Sequence, residues 1–252
     1  MRVSLITGGG RGIGRAIALA LSGPGTFVIV TGRTVADLDA TASDLAGRGG
    51  QALVVPMDVT SDASVAEAME RIRAAVSHVD VLVNNAGVGG GEPIGASDIA
   101  RWRRTIDTNL VGSYLVSREV VPLIPAGGRV INLSSVLGRF GVAGYTAYCS
   151  AKHGVIGFTR ALALELAPNG ITVNALCPGW VETAMAEQGM RRGAEATGST
   201  FEEFRDRALS MVPIRRMIQP EEVAELVKFL TSPGASAITG QTYNICGGQT
   251  MD

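Results

Sequence analysis

The sequence predicts an α/β fold in which a doubly wound parallel sheet carries helices on both faces, within a single domain over residues 1–252. Three observations support this prediction. Strand-like and helix-like segments alternate, most strand-like segments are continuous apolar runs, and a glycine-rich turn joins the first strand to the first helix. Continuous apolar runs are typical of strands covered on both faces, and alternating β and α segments form parallel sheets with right-handed crossovers.

The predicted elements follow one another in order along the chain. Strands are expected over residues 3–7, 27–31, 52–56, 79–84, 129–133, 171–177 and 242–246. Helices are expected over residues 15–21, 35–46, 62–76, 98–121, 147–166 and 220–230. Ser97 and Asp98 offer an N-cap to the fourth helix, and Pro220 followed by two glutamates is a favourable first turn for the last. No internal repeat is visible.

The composition limits the binding partners and the cellular compartment that we expect for the protein. A net charge of −1 and an isoelectric point near 6.2 give no reason to expect a nucleic acid or an anionic membrane as partner. No apolar stretch is long enough to span a bilayer, and Met1 leads directly into the first strand, unlike a signal peptide. An odd number of cysteines without metal-ligand spacing predicts a reducing, cytoplasmic environment and no metal site; they are Cys149, Cys177 and Cys246.

The glycine-rich turn after the first strand reads TGGGRGIG over residues 7–14. Its spaced glycines are Gly8, Gly12 and Gly14, which differ from the usual G-x-G-x-x-G dinucleotide spacing. Such a turn lets the backbone approach a phosphate at the N-terminus of the next helix, where free N–H groups and the helix dipole favour anions. The alternative is a flexible glycine-rich turn without a ligand.

A second feature is Tyr148 with Lys152 four residues later, and Ser135 thirteen residues before the tyrosine. Residues four apart share one face of a helix. We expect the ammonium to favour the phenolate and lower the pKa of Tyr148, which makes the phenol a proton donor and acceptor near neutral pH. Ser135 can give a second hydrogen bond to the same substrate oxygen. A chance pair on a helix surface is the alternative to be weighed.

Taken together, these residues resemble the short-chain dehydrogenase/reductase family, and the resemblance covers essentially the whole chain. The matching pieces occur in the order of the family: residues 7–14, Asp58 with Val59, residues 84–87, Asn109, Ser135, Tyr148 with Lys152, Pro178 with Gly179, residues 238–241, and Gly247 with Gly248. The resemblance implies a Rossmann-like fold and an NAD(P)-dependent oxidoreductase acting on CH–OH or C=O groups.

The resemblance also implies the catalytic roles. Tyr148 is the general acid in reduction and the base in oxidation, and Ser135 hydrogen-bonds the substrate oxygen. Lys152 holds the ribose hydroxyls of the nicotinamide and lowers the pKa of Tyr148. Asn109 matches the asparagine that helps carry a water chain to the lysine; a local backbone contact is its alternative role. His153 is expected to be structural, and His78 is expected to cap a helix end or be solvated.

The cofactor implied is a nicotinamide dinucleotide. The expected contacts are Gly8, Gly10, Arg11, Gly12, Ile13, Gly14, Arg33, Asp58, Val59, Asn85, Ala86, Gly87, Tyr148, Lys152, Pro178, Gly179, Val181 and Thr183. Members that prefer NAD usually carry an acid at the end of the second strand, where this chain has Thr31-Gly32-Arg33. Because Arg11 and Arg33 suit a 2′-phosphate, NADPH is predicted and NADH is less favoured.

Residues 183–213 depart from the alternation, because this segment is too long, glycine-rich and charged for an ordinary connection. It follows Pro178 and Gly179, which the resemblance places beside the nicotinamide. We interpret it as a mobile substrate lid, with a disordered surface insertion as the alternative.

The finer similarities concern the substrate. Residues 171–183, 211–216, 218–225 and 244–248, with Gly89-Gly90-Gly91, are similar to aromatic polyketide ketoreductases. The proline that accompanies those glycines in such enzymes is absent, since Val88 leads straight into Gly89. A polyketide or β-ketoacyl-type ketone or acyl thioester, free or carrier-bound, is therefore expected.

Two alternative functions remain open on the sequence. One is an NAD-dependent dehydrogenase of a small hydroxy acid or secondary alcohol such as 3-hydroxybutyrate, which residues 177–181 also resemble. The other is a non-catalytic nucleotide-binding sensor or scaffold. Family members commonly form tetramers, so a homotetramer is expected. The basic residues Arg101, Arg103 and Arg104 could meet an acidic carrier protein, although a solvated helix face is the simpler interpretation.

Overall fold

A computed structural model describes residues 1–251 of the chain. Their seven strands form a parallel sheet in the order β3-β2-β1-β4-β5-β6-β7. The strands are β1 (Arg2–Thr7), β2 (Thr26–Gly32), β3 (Gln51–Pro56), β4 (Val81–Asn84), β5 (Arg129–Leu133), β6 (Thr172–Pro178) and β7 (Thr242–Ile245). The fold class predicted from the sequence is confirmed.

Nine α-helices lie between these strands in the described part of the chain. They are α1 (Gly12–Ala20), α2 (Val35–Ala46), α3 (Asp62–Ala75), α4 (Ile99–Ile106), α5 (Gly112–Val120), α6 (Thr146–Leu166), α7 (Ala184–Thr197), α8 (Phe201–Ser210) and α9 (Pro220–Leu230). The helices α2 and α9 have the bounds predicted from the sequence, and every strand boundary lies within two residues of its predicted place. None of the helices in residues 1–251 has the length and apolar character needed to cross a membrane.

The sheet reverses its winding direction between β1 and β4. The strands β2 and β3 extend the sheet on one side of β1, whereas β4 to β7 extend it on the other. Thr7 ends β1 beside Thr31 of β2, and β4 ends at Asn84. Because open α/β sheets bind ligands where the strand order reverses, the carboxyl ends of β1 and β4 mark the expected site.

Two apolar clusters cover the two faces of the sheet. Leu5 and Leu82 point to one face and pack with side chains of α3, α5 and α6. Their neighbours Ile6 and Val83 point to the other face and pack with side chains of α1, α2 and α9. Side chains alternate across a strand, so each central strand contributes to both clusters. This explains why the strands are continuous apolar runs.

The predicted helix over residues 98–121 is wrong as one regular helix. A π-helical turn over Asp107–Val111 separates α4 from α5. Single π-turns inside α-helices occur frequently at functional sites. Asn109 lies in this turn and is buried at 1% exposure, so the irregularity coincides with a predicted site residue.

The segment 183–213 is also more regular than predicted, since it contains α7 and α8. Thr183 and Thr200 cap the two helices with their side chains, and Thr200 forms a capping box with Glu203. Gly198 ends α7 in the left-handed conformation at φ +64°. A small apolar cluster joins the two helices; it contains Met190, Ala208, Leu209 and Met217, with Trp180, Phe201 and Phe204 packed against it.

Candidate active site

The catalytic candidates meet where β5 ends and α6 begins. Ser135 follows β5 and caps the short 3-10 turn Val136–Gly138, with its Oγ accepting a hydrogen bond from Leu137 N at 3.2 Å. Tyr148 lies in the first turn of α6, one turn before Lys152 on the same face. The phenol of Tyr148 hydrogen-bonds Ser135. The structure therefore brings the three residues together, as the sequence predicts.

Ser134 holds the turn after β5 against α6. Its Oγ donates a hydrogen bond to the carbonyl oxygen of Lys152 at 2.8 Å. A methyl group added at Gly138 would lie 2.8 Å from the same oxygen, so only glycine allows this close packing. The sequence pattern carries no signal for this positioning contact of Ser134.

Lys152 is buried, with 4% of its surface exposed. Its Nζ donates a hydrogen bond to the carbonyl oxygen of Leu133 at 2.7 Å and lies 5.6 Å from the ring centroid of Tyr148. Burial disfavours the charged form and lowers the pKa of Lys152 to about 8. A backbone acceptor has no sequence signature, so the sequence could not reveal this partner.

The pKa of Tyr148 moves in the direction opposite to the prediction. Burial raises it to about 12, and the hydrogen bond from Ser135 lowers it by less than burial raises it. The expected lowering by Lys152 is wrong for this structure, because the ammonium points to Leu133 O and lies over the ring. At neutral pH the phenol is therefore protonated, which is the state a proton donor needs.

Asn109 connects α4 and α5 to the loop after β4. Its Nδ2 donates to the carbonyl oxygens of Thr105 at 2.9 Å and Val88 at 3.0 Å, and its Oδ1 accepts from Val88 N at 3.2 Å. A methyl group added at Gly87 would lie 2.7 Å from this Oδ1 and 3.8 Å from Nζ of Lys152. Asn109 and Lys152 therefore meet around Gly87, and the backbone contacts considered as an alternative are present as well.

The glycine turn forms a tight cradle at the N-terminus of α1. Gly8 and Gly12 have φ values of +65° and +53°, which favour glycine. A methyl group at Gly14 would lie 2.2 Å from the carbonyl oxygen of Gly8. Arg11 precedes α1 and gives no side-chain cap, so no capping side chain competes with an anion for the first N–H groups. The residues present therefore fit the pyrophosphate of a dinucleotide.

Thr7 and Asn85 tie the glycine turn to the end of β4. Thr7 Oγ1 accepts from the N–H groups of Asn85 at 3.0 Å and Ala86 at 2.9 Å. The Nδ2 of Asn85 donates to the carbonyl oxygens of Thr7 at 2.9 Å and Gly8 at 3.2 Å. These bonds fix the two strand ends that border the switch point, and they place Asn85 and Ala86 beside the glycine turn.

The predicted adenosine end of the site lies beyond β2 and β3. Arg33 and Asp58 border a cavity of about 280 Å³ that Arg71 of α3 also lines. Partial burial raises the pKa of Asp58, but hydrogen bonds from Thr60 and the charge of Arg33 offset this, so the pKa lies below its ordinary value. Arg33 is exposed and free of protein hydrogen bonds among the described residues, which leaves its guanidinium available to a phosphate.

The other cofactor candidates lie around this cradle. Gly10 packs against α2, where a methyl group would lie 2.9 Å from Cβ of Asp37. Thr183 is the first residue of the segment 183–213, and its methyl group would lie 3.2 Å from a Cβ on Gly12. Ile13 lies in α1, and Val59 packs against α5. Pro178 ends β6, Gly179 follows it, and Val181 pairs with Ile218. The segment 183–213, predicted to be a lid, therefore starts in contact with the glycine turn.

The fold and this site define a member of the short-chain dehydrogenases/reductases. The family described as enoyl-(acyl carrier protein) reductase matches residues 8–250, and the chain belongs to it. It is an oxidoreductase of the class that acts on C=O and CH–OH groups.

Among known proteins, the chain is similar to a protein of Streptomyces coelicolor named as a ketoacyl reductase, with 41% identity over 98% of this chain and 96% of that protein. A 3-oxoacyl-[acyl-carrier-protein] reductase of Synechocystis is 39% identical, over 99% and 97% of the two chains. Among solved structures, a tryptophan variant of actinorhodin polyketide ketoreductase, determined with NADPH, has a TM-score of 0.94 and 40% identity, covering 98% of this chain and 97% of that one.

Proposed function

We propose that this protein is an NADPH-dependent ketoreductase that reduces a ketone of a polyketide or β-ketoacyl-type substrate. The observation that carries the proposal is the convergence of Ser135, Tyr148 and Lys152 at the end of β5, next to the glycine cradle. The names of the relatives support it, because they describe ketoacyl and 3-oxoacyl-[acyl-carrier-protein] reductases and a polyketide ketoreductase determined with NADPH.

The side chains of the site have complementary roles in this reaction. When bound, NADPH supplies the hydride. Tyr148, whose pKa is raised to about 12, gives its proton to the carbonyl oxygen. Ser135 Oγ accepts from Leu137 N, and its O–H, which hydrogen-bonds the phenol of Tyr148, can turn to the substrate oxygen and stabilise the developing negative charge.

Lys152 and Asn109 then support the return of a proton to Tyr148. With its pKa lowered to about 8, Lys152 is mostly protonated at neutral pH and can release a proton more readily than an ordinary lysine. Asn109 holds the loop around Gly87 against Lys152. Residues 183–213, with α7 and α8, form the substrate lid in this proposal.

A second candidate reaction is the reduction of a carbon–carbon double bond, because the matching family is described as an enoyl-(acyl carrier protein) reductase. The geometry favours the ketone, since Ser135 and Tyr148 place two hydroxyl donors where a carbonyl oxygen becomes a hydroxyl. The two reactions can be separated directly, because a β-ketoacyl and an enoyl thioester of the same chain length differ only in the group reduced.

The experiment that tests the function follows NADPH and NADH oxidation against four substrates. They are the bicyclic ketone trans-1-decalone, an acetoacetyl thioester, acetoacetate and a crotonyl thioester. We expect NADPH-dependent turnover of the bicyclic ketone and the acetoacetyl thioester. Turnover of the crotonyl thioester alone would assign enoyl reduction, and activity confined to acetoacetate with NADH would assign a hydroxy-acid dehydrogenase. No turnover of any substrate would favour the sensor or scaffold.

Replacing Arg33 with alanine is expected to reduce the preference for NADPH over NADH. The change removes a charged donor to the 2′-phosphate, so kcat/KM with NADPH should fall about tenfold to a hundredfold, while the value with NADH stays within about twofold. The control is Arg48→Ala, which removes the same charge from an exposed site beyond the end of α2. Equal kcat/KM values for the two cofactors in the wild-type protein would contradict the prediction.

We also infer that the protein is a cytoplasmic homotetramer. Its three cysteines are free thiols, which fits a reducing compartment. Large apolar side chains are exposed on α5 and α6, where Tyr114 is 49% and Leu164 is 79% accessible. Exposed apolar surface of this kind is available for contacts between subunits.

A further inference from the structure

The three consecutive glycines after β4 run between the lid and the start of α6. A methyl group added at Gly89 would lie 3.2 Å from Cγ of Met185 in α7. One added at Gly91 would lie 2.9 Å from Cδ2 of Tyr145, which caps the helix that carries Tyr148. The glycine segment 89–91 is therefore in close contact with α7 on one side and with the start of α6 on the other.

Two arginines from different elements meet at Gly90, the middle glycine of this segment. A methyl group added at Gly90 would lie 2.7 Å from Nη1 of Arg192 in α7 and 3.6 Å from Nη2 of Arg101 in α4. Gly90 has a φ of +122°, a conformation that side-chain-bearing residues rarely adopt. The lid helix and α4 thus place guanidinium groups on the same backbone segment.

The charge of Arg101 is balanced, whereas the charge of Arg192 is not. Arg101 forms an ion pair with Glu92. The neighbouring Arg191 pairs with Glu187 at 2.6 Å and lies 4.8 Å from the ring centroid of Phe201. Arg192 is partly buried, and among the described residues it has neither a hydrogen bond nor an ion pair to a protein group. Burying part of a cation without a partner costs free energy, and an anion that pairs with the cation offsets this cost.

We propose that Arg192 binds an anionic group that the substrate carries away from its reacting ketone, so that the enzyme selects anionic β-ketoacyl substrates. The inference rests on the ketoreductase function proposed above. The planar guanidinium favours carboxylate and phosphate oxygens, which it can bind through two parallel hydrogen bonds. Two substrate classes supply such an oxyanion at different distances: thioesters with a phosphopantetheine arm carry a phosphate at the far end of the arm, and free β-keto acids carry a carboxylate one methylene from the ketone.

The position of Arg192 allows one substrate molecule to reach both groups. Val88 is hydrogen-bonded to Asn109 of the catalytic site, and Gly90 lies two residues further along the chain. An extended chain advances at most about 3.6 Å per residue, so Gly90 lies within about 7 Å of Val88. The loop after β4 therefore connects Asn109 of the catalytic site with Arg192, and a ligand that lies along this loop can contact both ends.

The test uses two pairs of substrates that differ in charge at one group. The first pair is acetoacetyl-4′-phosphopantetheine and acetoacetyl-pantetheine, and the second is acetoacetate and its methyl ester. For the wild-type protein we expect a higher kcat/KM with the anionic member of at least one pair, and the pair identifies the source of the oxyanion. The Arg192→Gln variant should lower kcat/KM for that anionic member by about tenfold, mainly through KM, and leave its neutral partner within about twofold.

The matched control is Arg191→Gln, which removes the same charge from the adjacent position of the same helix and should leave both ratios unchanged. Arg192→Lys keeps the charge without the planar fork and should retain part of the preference. An equal loss for anionic and neutral substrates would show that Arg192 only holds the lid, and an unchanged ratio would show that it binds no anion; either result overturns the inference. Turnover of the neutral substrates without any anion preference would overturn the inference alone, whereas no turnover of any of the four would also remove the proposed function.

Discussion

The Tyr148→Phe variant should lose turnover by about 10²–10⁴-fold in kcat, because it lacks the proton donor of the reaction. The variant keeps the ring and its place in the first turn of α6, and it loses only the hydroxyl that hydrogen-bonds Ser135. We therefore expect the circular dichroism spectrum to be unchanged and the free energy of unfolding to change by about 1 kcal/mol. Turnover is measured as NADPH oxidation with trans-1-decalone, and NADPH binding is measured by fluorescence.

The control for this prediction is Tyr114→Phe. Tyr114 is a 49% exposed tyrosine of α5 that lies 5.9 Å from the guanidinium of Arg118. Removing its hydroxyl should leave kcat within about twofold, since exposed substitutions rarely change stability by more than about 0.5 kcal/mol. If Tyr148→Phe retained turnover while binding NADPH normally, the proton donor would have to be another group and the catalytic assignment would be wrong.

The sequence predicts which catalytic residues meet, but not their protonation energies. The meeting of Tyr148 with Lys152 follows from helical spacing, which depends only on the positions of residues along the chain. The pKa of Tyr148 depends instead on burial, and burial raises it to about 12 against the predicted lowering. The hydrogen bond from Lys152 to the carbonyl oxygen of Leu133 explains the error, because a backbone partner leaves no pattern in the sequence.

The fold also has parts that the sequence predicts and parts that it does not. The strands were predictable because they are buried on both faces, which gives continuous apolar runs. The helices of residues 183–213 were harder to predict, because α7 and α8 share a small apolar cluster around Met190 and contribute nothing to the two large clusters that cover the sheet. Their caps at Thr183 and Thr200 were present as sequence signals, but the glycines and charges between them favoured an irregular interpretation. The π-turn at Asn109 has no comparable signal.

The glycine cradle shows how a sequence pattern becomes a geometric requirement. The spacing of Gly8, Gly12 and Gly14 indicates a phosphate site, and two of these glycines have positive φ values. Gly14 is required for a different reason, since its backbone lies against Gly8 and Asn85. The bond from Nδ2 of Asn85 to the carbonyl oxygen of Gly8 closes the turn over α1, so the packing at Gly14 decides the shape of the cradle.

The Gly14→Ala variant is therefore expected to lose the cofactor site. Its Cβ would lie 2.2 Å from Gly8 O and 2.4 Å from Nδ2 of Asn85, and neither group can move without opening the turn. Overpacking of this kind costs about 1–3 kcal/mol of stability. Displacement of the turn from the N-terminus of α1 should also weaken NADPH binding, because the backbone N–H groups would no longer converge on the pyrophosphate.

The informative measurement is the rise in melting temperature caused by NADPH, since a ligand that binds only the folded state stabilises it by a free energy that grows with the logarithm of its affinity. The rise should be present in the wild-type protein and in Gly23→Ala, where a methyl group would meet no atom within 4 Å. It should be absent in Gly14→Ala. A normal rise in Gly14→Ala would mean that the turn tolerates a side chain, and the cradle around Gly8 would then not be what binds the pyrophosphate.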